Sequence, residues 1–199
     1  AFLFENVKGI LRQNFSNYLE YTRLQLRHPD ITIKKTERWM KHLARLQQLE
    51  TSGRSTGLTY NVLIQTLNAA NFGVPQKRER VFIVGFRNDL GIEWSFPEPT
   101  HSHDSLLWSQ WRSNNYWEKH CIYKRSRPTT GPGKVRAERL KEKPQLLPWQ
   151  TVRDVLKGLP DPEYHSCLSK MHSDHKFIPG ARSYKGHTGS PLDFPAKTL

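Results

Sequence analysis

Gly73-Val74-Pro75-Gln76-Lys77-Arg78-Glu79-Arg80 runs directly into Val81-Phe82-Ile83-Val84-Gly85, and this junction decides how the chain is read. A short apolar run rich in β-branched and aromatic residues, entered from a Gly-Val-Pro turn, is the pattern of a buried strand. Side chains two apart share a strand face, so Arg78 and Arg80 are expected together on one rigid edge. Upstream, Tyr60-Asn61-Val62-Leu63 gives a second extended stretch, and Leu67 to Gly73 leads from it into the turn. At the start of the chain Phe2-Leu3-Phe4 and Val7 form a third apolar run, expected as a buried strand. Glu5 and Asn6 lie near its carboxyl end, the edge where ligands gather in open parallel sheets.

Between these strands the spacing changes. Leu11, Phe15, Leu19, Thr22 and Leu26 recur at intervals of four, four, three and four, which predicts one face of an amphipathic helix ending before Pro29. A second helix is expected from Glu37 to Glu50, capped by Thr36, with Trp39, Leu43 and Leu46 on one face and Gly53 closing it. Residues 28–57 exceed a simple connection and read as an insertion. Beyond the strand at 81–86, Trp94, Phe96, Trp108, Trp111, Tyr116 and Trp117 occur without a clear period among prolines and histidines. These rings are expected in a small core rather than as stacking platforms. Nine Lys or Arg against two Glu follow from 119 to 143, with Pro128, Gly131, Pro132 and Gly133 among them, which predicts a basic loop. Thr151 and Asp154 form the ends of a capping box, so a short helix is expected from Thr151, stopped by Gly158 and Pro160. A domain boundary is placed near residue 90, giving units 1–90 and 91–199.

The chain of 199 residues carries 31 Lys plus Arg against 18 Asp plus Glu, a formal charge of +13. That balance suits a phosphate-facing surface and so a nucleic-acid partner. A hydrophobic fraction of 36% predicts loops and half-buried surface around a modest core. No apolar run approaches the ~18 residues that cross a bilayer, and no secretory leader opens the sequence, so no membrane partner is expected. Two cysteines without regular spacing argue against a disulfide scaffold and for a reducing, cytoplasmic setting. His101, His103, His120, Cys121, His165, Cys167, His172 and His175 include no strong zinc spacing, and no metal is expected.

The block from Tyr60 to Gly85 resembles motif VIII of the DNA cytosine-5 methyltransferases, a Gln-x-Arg-x-Arg core followed by a strand. Glu5-Asn6-Val7, within Phe2 to Gly9, is similar to motif VI of that family. Residues 174–184 and 186–190 look like a segment that precedes motif IX in some bacterial members, and Phe194-Pro195-Ala196-Lys197-Thr198-Leu199 looks like the opening of motif IX. The resemblance implies an α/β fold: the C-terminal part of a Rossmann-like, S-adenosylmethionine-dependent domain over residues 1–90, then a small loop-rich target-recognition domain over 91–199. The family's nucleophilic Pro-Cys loop and its Gly-rich cofactor loop fall before Glu5-Asn6-Val7, and neither is in this sequence. Cys121 and Cys167 have the wrong context for the nucleophile. The expectation is a portion of a restriction-modification methyltransferase, inactive alone, whose partners are duplex DNA and a catalytic portion supplied in cis or in trans.

The implied chemistry assigns roles to particular residues. Carbon 5 of cytosine is a weak nucleophile, and a thiolate added at C6 makes it reactive while charge builds at N3 and O2. The resemblance gives Glu5 the stabilisation of N3 and N4, with a proton to share. It gives Arg80 the O2 oxygen and a nearby phosphate, a task suited to a permanently charged planar fork. Asn6 is to hold its loop, Val7 to pack beside the extruded base, and Gln76 to secure the turn. Arg78 is left between a structural role and holding the DNA backbone or the catalytic loop. Arg125, Arg127, Lys134 and Arg136 are candidate backbone contacts, and Arg182 and Lys185 candidate base readers. Two alternatives stay open: a non-catalytic DNA-binding subunit or remnant, and an RNA cytosine methyltransferase of the same family.

Overall fold

The apolar run at 81–85 becomes the middle strand of a three-stranded antiparallel sheet. The computed structural model describes residues 1–53, 57–159 and 189–198. Strands β1 (Phe2–Val7) and β2 (Tyr60–Asn68) flank β4 (Glu79–Arg87), in the order β1-β4-β2, and the two-residue strand β3 (Gln76–Lys77) precedes β4. The central position explains why β4 is apolar almost without interruption: Val81, Ile83 and Val84 are buried, as expected when both faces are covered. Gly85 stands opposite Phe2 on one side and Val62 on the other, and a Cβ there would meet Phe2 Cζ at 2.1 Å. The missing side chain lets the Phe2 ring lie over the strand.

Two expectations about this sheet are corrected. Its pairings are antiparallel rather than parallel. β1 is an edge strand and not a buried one, with Leu3 63% and Phe4 50% exposed. Because those neighbours point to opposite faces, β1 is uncovered on both sides, and apolar composition alone does not distinguish a strand that is covered from one that is not.

Helices α1 (Ser16–Arg27) and α2 (Trp39–Ser52) pack together over a cluster of Tyr21, Leu24, Leu43 and Leu46, with Ile31 against it. Two 3₁₀ turns, Lys8–Leu11 and Gln13–Phe15, replace the first turns of the expected helix. The buried face is also rotated: Tyr21, Leu24 and His28 are inside, whereas Leu11 and Phe15 are exposed. The reason is Tyr21, whose ring is apolar and whose hydroxyl is satisfied. His42 Nε2 donates to the Ile31 carbonyl at 2.9 Å, which leaves Nδ1 to accept from the Tyr21 hydroxyl at 2.9 Å. Thr36 does not cap α2. Its N-cap is Arg38, without a side-chain bond. The chain ahead of it is instead turned by Glu37, which accepts from Lys34 N–H and is gripped by Arg45. The Arg45 guanidinium holds the Glu37 carboxyl down to about 2. Gly53, at φ 64°, closes the helix as expected.

The chain divides into two compact units: residues 1–68 with 79–98, and residues 69–78 with 99–199. In the second, α3 (His103–Trp111) and α4 (Asn115–Lys119) contribute to a cluster of Ala70, Leu106, Tyr116, Trp117 and Trp149, with Ile122 and Phe194 against it, while α5 (Pro132–Arg139) packs on α3 and α6 (Val152–Leu156) follows Thr151. Short paired segments, β5 (His101–Ser102) with β6 (Leu147–Pro148) and β3 with β7 (Ala196–Lys197), tie the ends together. α3 lies in the stretch that shows no period, since Ser105, Leu106, Leu107 and Gln110 are all buried and it has no polar face to betray it. Part of the expected basic loop is helical. Pro132 and Ala137 are compatible with α5, Ala137 is fully buried, and Arg136 is bound to Asp104 at the start of α3. The capping box at Thr151 and Asp154 forms as expected.

Candidate active site

Strand register brings the two quoted motifs together. Arg80 stands opposite Val7, and Glu5 opposite Phe82. Glu5 and Val7 share a face, so Glu5 and Arg80 are diagonal neighbours on the same side of the sheet, within reach of two long side chains. Arg80 Nε lies 2.9 Å from Glu5 Oε1. Arg80 Nη1 also donates to the Glu79 carbonyl at 2.8 Å, which fixes the plane of the fork. Arg80 is 18% exposed and Glu5 46%, so the pair is anchored on one side and open on the other. A guanidinium has five N–H donors. With these two contacts made, the outer donors of Arg80 and Glu5 Oε2 are without a partner among the described residues. Lys8 Nζ, 3.0 Å from Glu79 Oε2, forms a second ion pair at the same strand ends.

Asn6 and Val7 follow Glu5 on β1, and the Asn6 side chain accepts from Val7 N–H at 2.7 Å. Arg78 is a correction. It lies in the one-residue break between β3 and β4 and is exposed, so it does not share a strand face with Arg80. Its carbonyl accepts from Ala69 N–H, closing the turn that begins after β2. Gln76 belongs to β3 and is in register with Ala196. The residues read as the opening of motif IX therefore run alongside those of motif VIII, with Ala196 N–H bonded to the Pro75 carbonyl and Thr198 Oγ1 to the Lys77 carbonyl. Gly73 is required at the turn: its φ is +82°, and a Cβ would meet His101 Cε1 at 2.9 Å.

The expected DNA contacts are not equivalent. Arg125 lies over the Tyr123 ring, 5.7 Å from its centroid, Arg127 donates to the Ile122 carbonyl, and Lys134 to the Thr129 carbonyl. Each of these keeps donors for a phosphate. Arg136 has its fork on Asp104 and is mainly a structural tie. Arg182 and Lys185, with residues 174–188, lie outside the described residues. Among the described residues no three His, Cys, Asp or Glu side chains cluster as metal ligands, and no helix is long and apolar enough to cross a membrane. Sequence reasoning missed Asp193, which accepts from both Arg153 and the Tyr116 hydroxyl. Only its spacing from a Pro-Leu turn marks it beforehand.

Residues 33–184 match the family described as C-5 cytosine-specific DNA methylase. The chain belongs to that family. Among curated relatives, it is 40% identical over 160 residues to the type II methyltransferase M.AquIA of Picosynechococcus, covering 80% of this chain and 44% of that protein. It is 45% identical over 65 residues to M.MthTI of Methanothermobacter thermautotrophicus, covering 33% and 19%. With M.HhaI of Haemophilus parahaemolyticus it shares 49% over 43 residues, covering 21% and 13%. The chain thus spans less than half the length of these relatives. The matched family segment begins after Glu5-Asn6-Val7, so that motif rests on its own residues and on the pairing with Arg80.

Proposed function

We propose that this chain is part of a DNA cytosine-5 methyltransferase that transfers a methyl group from S-adenosylmethionine to C5 of a cytosine turned out of a specific duplex sequence. The observation that carries the reading is the Glu5–Arg80 pair. A cytosine presents O2, N3 and the 4-amino group along one edge, and the pair presents arginine donors beside a carboxylate. Arg80, anchored through Nε and through Glu79, offers its outer N–H groups to O2, where charge develops. Glu5 accepts from the 4-amino group and, taking up a proton from solvent at Oε2 when the base is bound, donates that proton to N3 as the ring becomes electron-rich. Because these atoms are hidden in the base stack, the base must leave the helix, at a cost of a few kcal/mol. Arg125, Arg127 and Lys134 are positioned by this reading to offset part of that cost through phosphate contacts.

S-adenosylmethionine is the family's methyl donor, and it supplies an electrophilic methyl group. The Gly-rich loop that holds it in the family is not among the residues of this sequence. In this reading the cofactor and the nucleophilic cysteine come from a further catalytic portion, in cis or in trans, and this chain alone is inactive. In this reading residues 1–90 belong to the catalytic domain and 91–199 to a target-recognition domain, whereas the compact units give 69–78 to the second and 91–98 to the first. The setting is a restriction-modification system in the cytoplasm.

The test is complementation. The chain is mixed with a protein bearing the Pro-Cys and Gly-rich loops, and methyl transfer to duplex DNA is measured, with tRNA as competitor to separate the RNA alternative. Activity should require both proteins, and Glu5→Gln should lower turnover strongly while leaving DNA binding intact. Unchanged turnover in Glu5→Gln removes Glu5 from the mechanism. DNA binding without any restored activity favours the non-catalytic subunit.

A further inference from the structure

Beside the Glu5–Arg80 pair, the first unit contains a groove of about 760 Å³ with Asn6 and Val7 at one end. Phe15 and Tyr18, at the start of α1, and Trp39, at the start of α2, give it three aromatic rings, each substantially exposed. Trp39 is braced from behind, its centroid 5.5 Å from that of the buried Tyr21. Arg12, Asn14 and Asn17 also line the groove, and their side chains have no hydrogen-bond partner among the described residues. No carboxylate lines it, and neither α1 nor α2 has an acidic residue in its first turn. Both helices therefore turn positive ends toward a groove whose one charged side chain is Arg12.

We propose that this groove binds a nucleotide of the substrate strand adjoining the target cytosine. The base lies against the braced Trp39 ring and its aromatic neighbours, the amides of Asn14 and Asn17 meet the base edge, and Arg12 takes the phosphate. The inference rests on the reading of Glu5 and Arg80 as the target-base site, which the groove adjoins through Val7, the residue opposite Arg80 on β1. A nucleotide supplies a partner for every exposed group: a planar ring for the aromatics, donors and acceptors for the amides, an anion for the arginine. An apolar peptide segment would cover the rings and leave Arg12, Asn14 and Asn17 unpaired, which is costly. The volume falls within the range of small-ligand sites.

The experiment uses the 199-residue chain and a short single-stranded oligonucleotide carrying 5-iodouracil next to a cytosine. After irradiation, adducts are mapped by mass spectrometry. They should fall on Phe15, Tyr18 or Trp39. Trp39→Ala should weaken binding about 5- to 150-fold, the range of one stacked base, whereas Trp39→Phe should retain most of it. Arg12→Gln should flatten the slope of log affinity against log salt by about 0.7, one phosphate contact on a single strand. Adducts confined to the second unit, or affinity unchanged in Trp39→Ala, overturn the proposal. Mapping on the unaltered chain decides independently of whether a variant folds. The two readings fail separately: unchanged turnover in complemented Glu5→Gln, with adducts in the groove, removes the catalytic assignment alone. A crippled Glu5→Gln with no groove adduct removes the nucleotide site alone.

Discussion

Replacing Arg80 by alanine separates a catalytic arginine from a structural one, because the structure sets the two costs at different sizes. The ion pair to Glu5 is partly open to solvent, and such pairs contribute about 0–1 kcal/mol. The bond from Nη1 to the Glu79 carbonyl adds about 1 kcal/mol. Folding stability should therefore fall by about 1–2 kcal/mol. If Arg80 faces charge developing on O2, removing it costs what one oxyanion donor supplies, about 10²–10³ in turnover. The stability arm is a denaturant melt of the chain, and the turnover arm is methyl incorporation after complementation with the portion carrying the Pro-Cys loop. Arg80→Lys keeps the charge without the planar fork and should recover the stability more than the rate. Turnover within about threefold of the unaltered protein, alongside the expected stability loss, would refute the catalytic assignment.

Other perturbations probe what holds each unit. Asp193→Ala strips Arg153 and the Tyr116 hydroxyl of a shared carboxylate and should cost about 2–3 kcal/mol in a denaturant melt; an unmoved midpoint would contradict the tie from Asp193 to α4 and α6. Gly73→Ala combines a left-handed backbone with a Cβ pressed on His101, so a loss of about 1 kcal/mol or more is expected, and a neutral or stabilising change would contradict the turn geometry. Burial holds the His103 and His120 imidazoles below their ordinary value, so the fold favours the neutral rings. Their contribution is complete above the unfolded value of about 6.5 and is lost as pH falls through the lower folded values. Thermal melts should therefore weaken on acidification below that point, before carboxylates titrate, and His103→Asn with His120→Asn should flatten this limb.

What the sequence made legible is whatever depended on local pattern. The β4 run, the Gly53 stop and the Thr151–Asp154 capping box are each encoded within a few residues, and each forms. The face of α1 was not legible, because Tyr21 is buried only by virtue of a partner on another helix, His42. α3 left no periodic trace, since it is buried on several sides. Phe15 gave a signal of a different kind: an apolar residue at an expected core position that is exposed, and it borders the groove beside Val7. Arg78 and Arg80 look equivalent as a two-apart pair, yet a single residue outside the ladder separates their surroundings. The Glu5–Arg80 pairing needed both motifs and the register between them, and no local pattern supplies a register across so much intervening chain.

That pairing also explains why chemistry and stability are separable here. The buried clusters around Leu24 and Leu46, and around Leu106 and Trp117, contain none of the residues assigned to the cytosine. Glu5 projects from the edge strand β1 and Arg80 from the middle strand β4, on one face of the sheet, outside both clusters. A strand ladder does not depend on the side chain carried outside the packed core, so substitutions at the pair should leave β1 and β4 paired while changing what, in the proposed reading, meets the base. Charge placed deep in either cluster would have had to be desolvated before any substrate arrived. On the sheet face, Arg80 is held by Glu5 and by a backbone carbonyl, and in the proposed reading its remaining donors are left for the base. In the proposed reading, the half-open position of the pair lets an ionised fork be oriented in advance at a small cost to the fold.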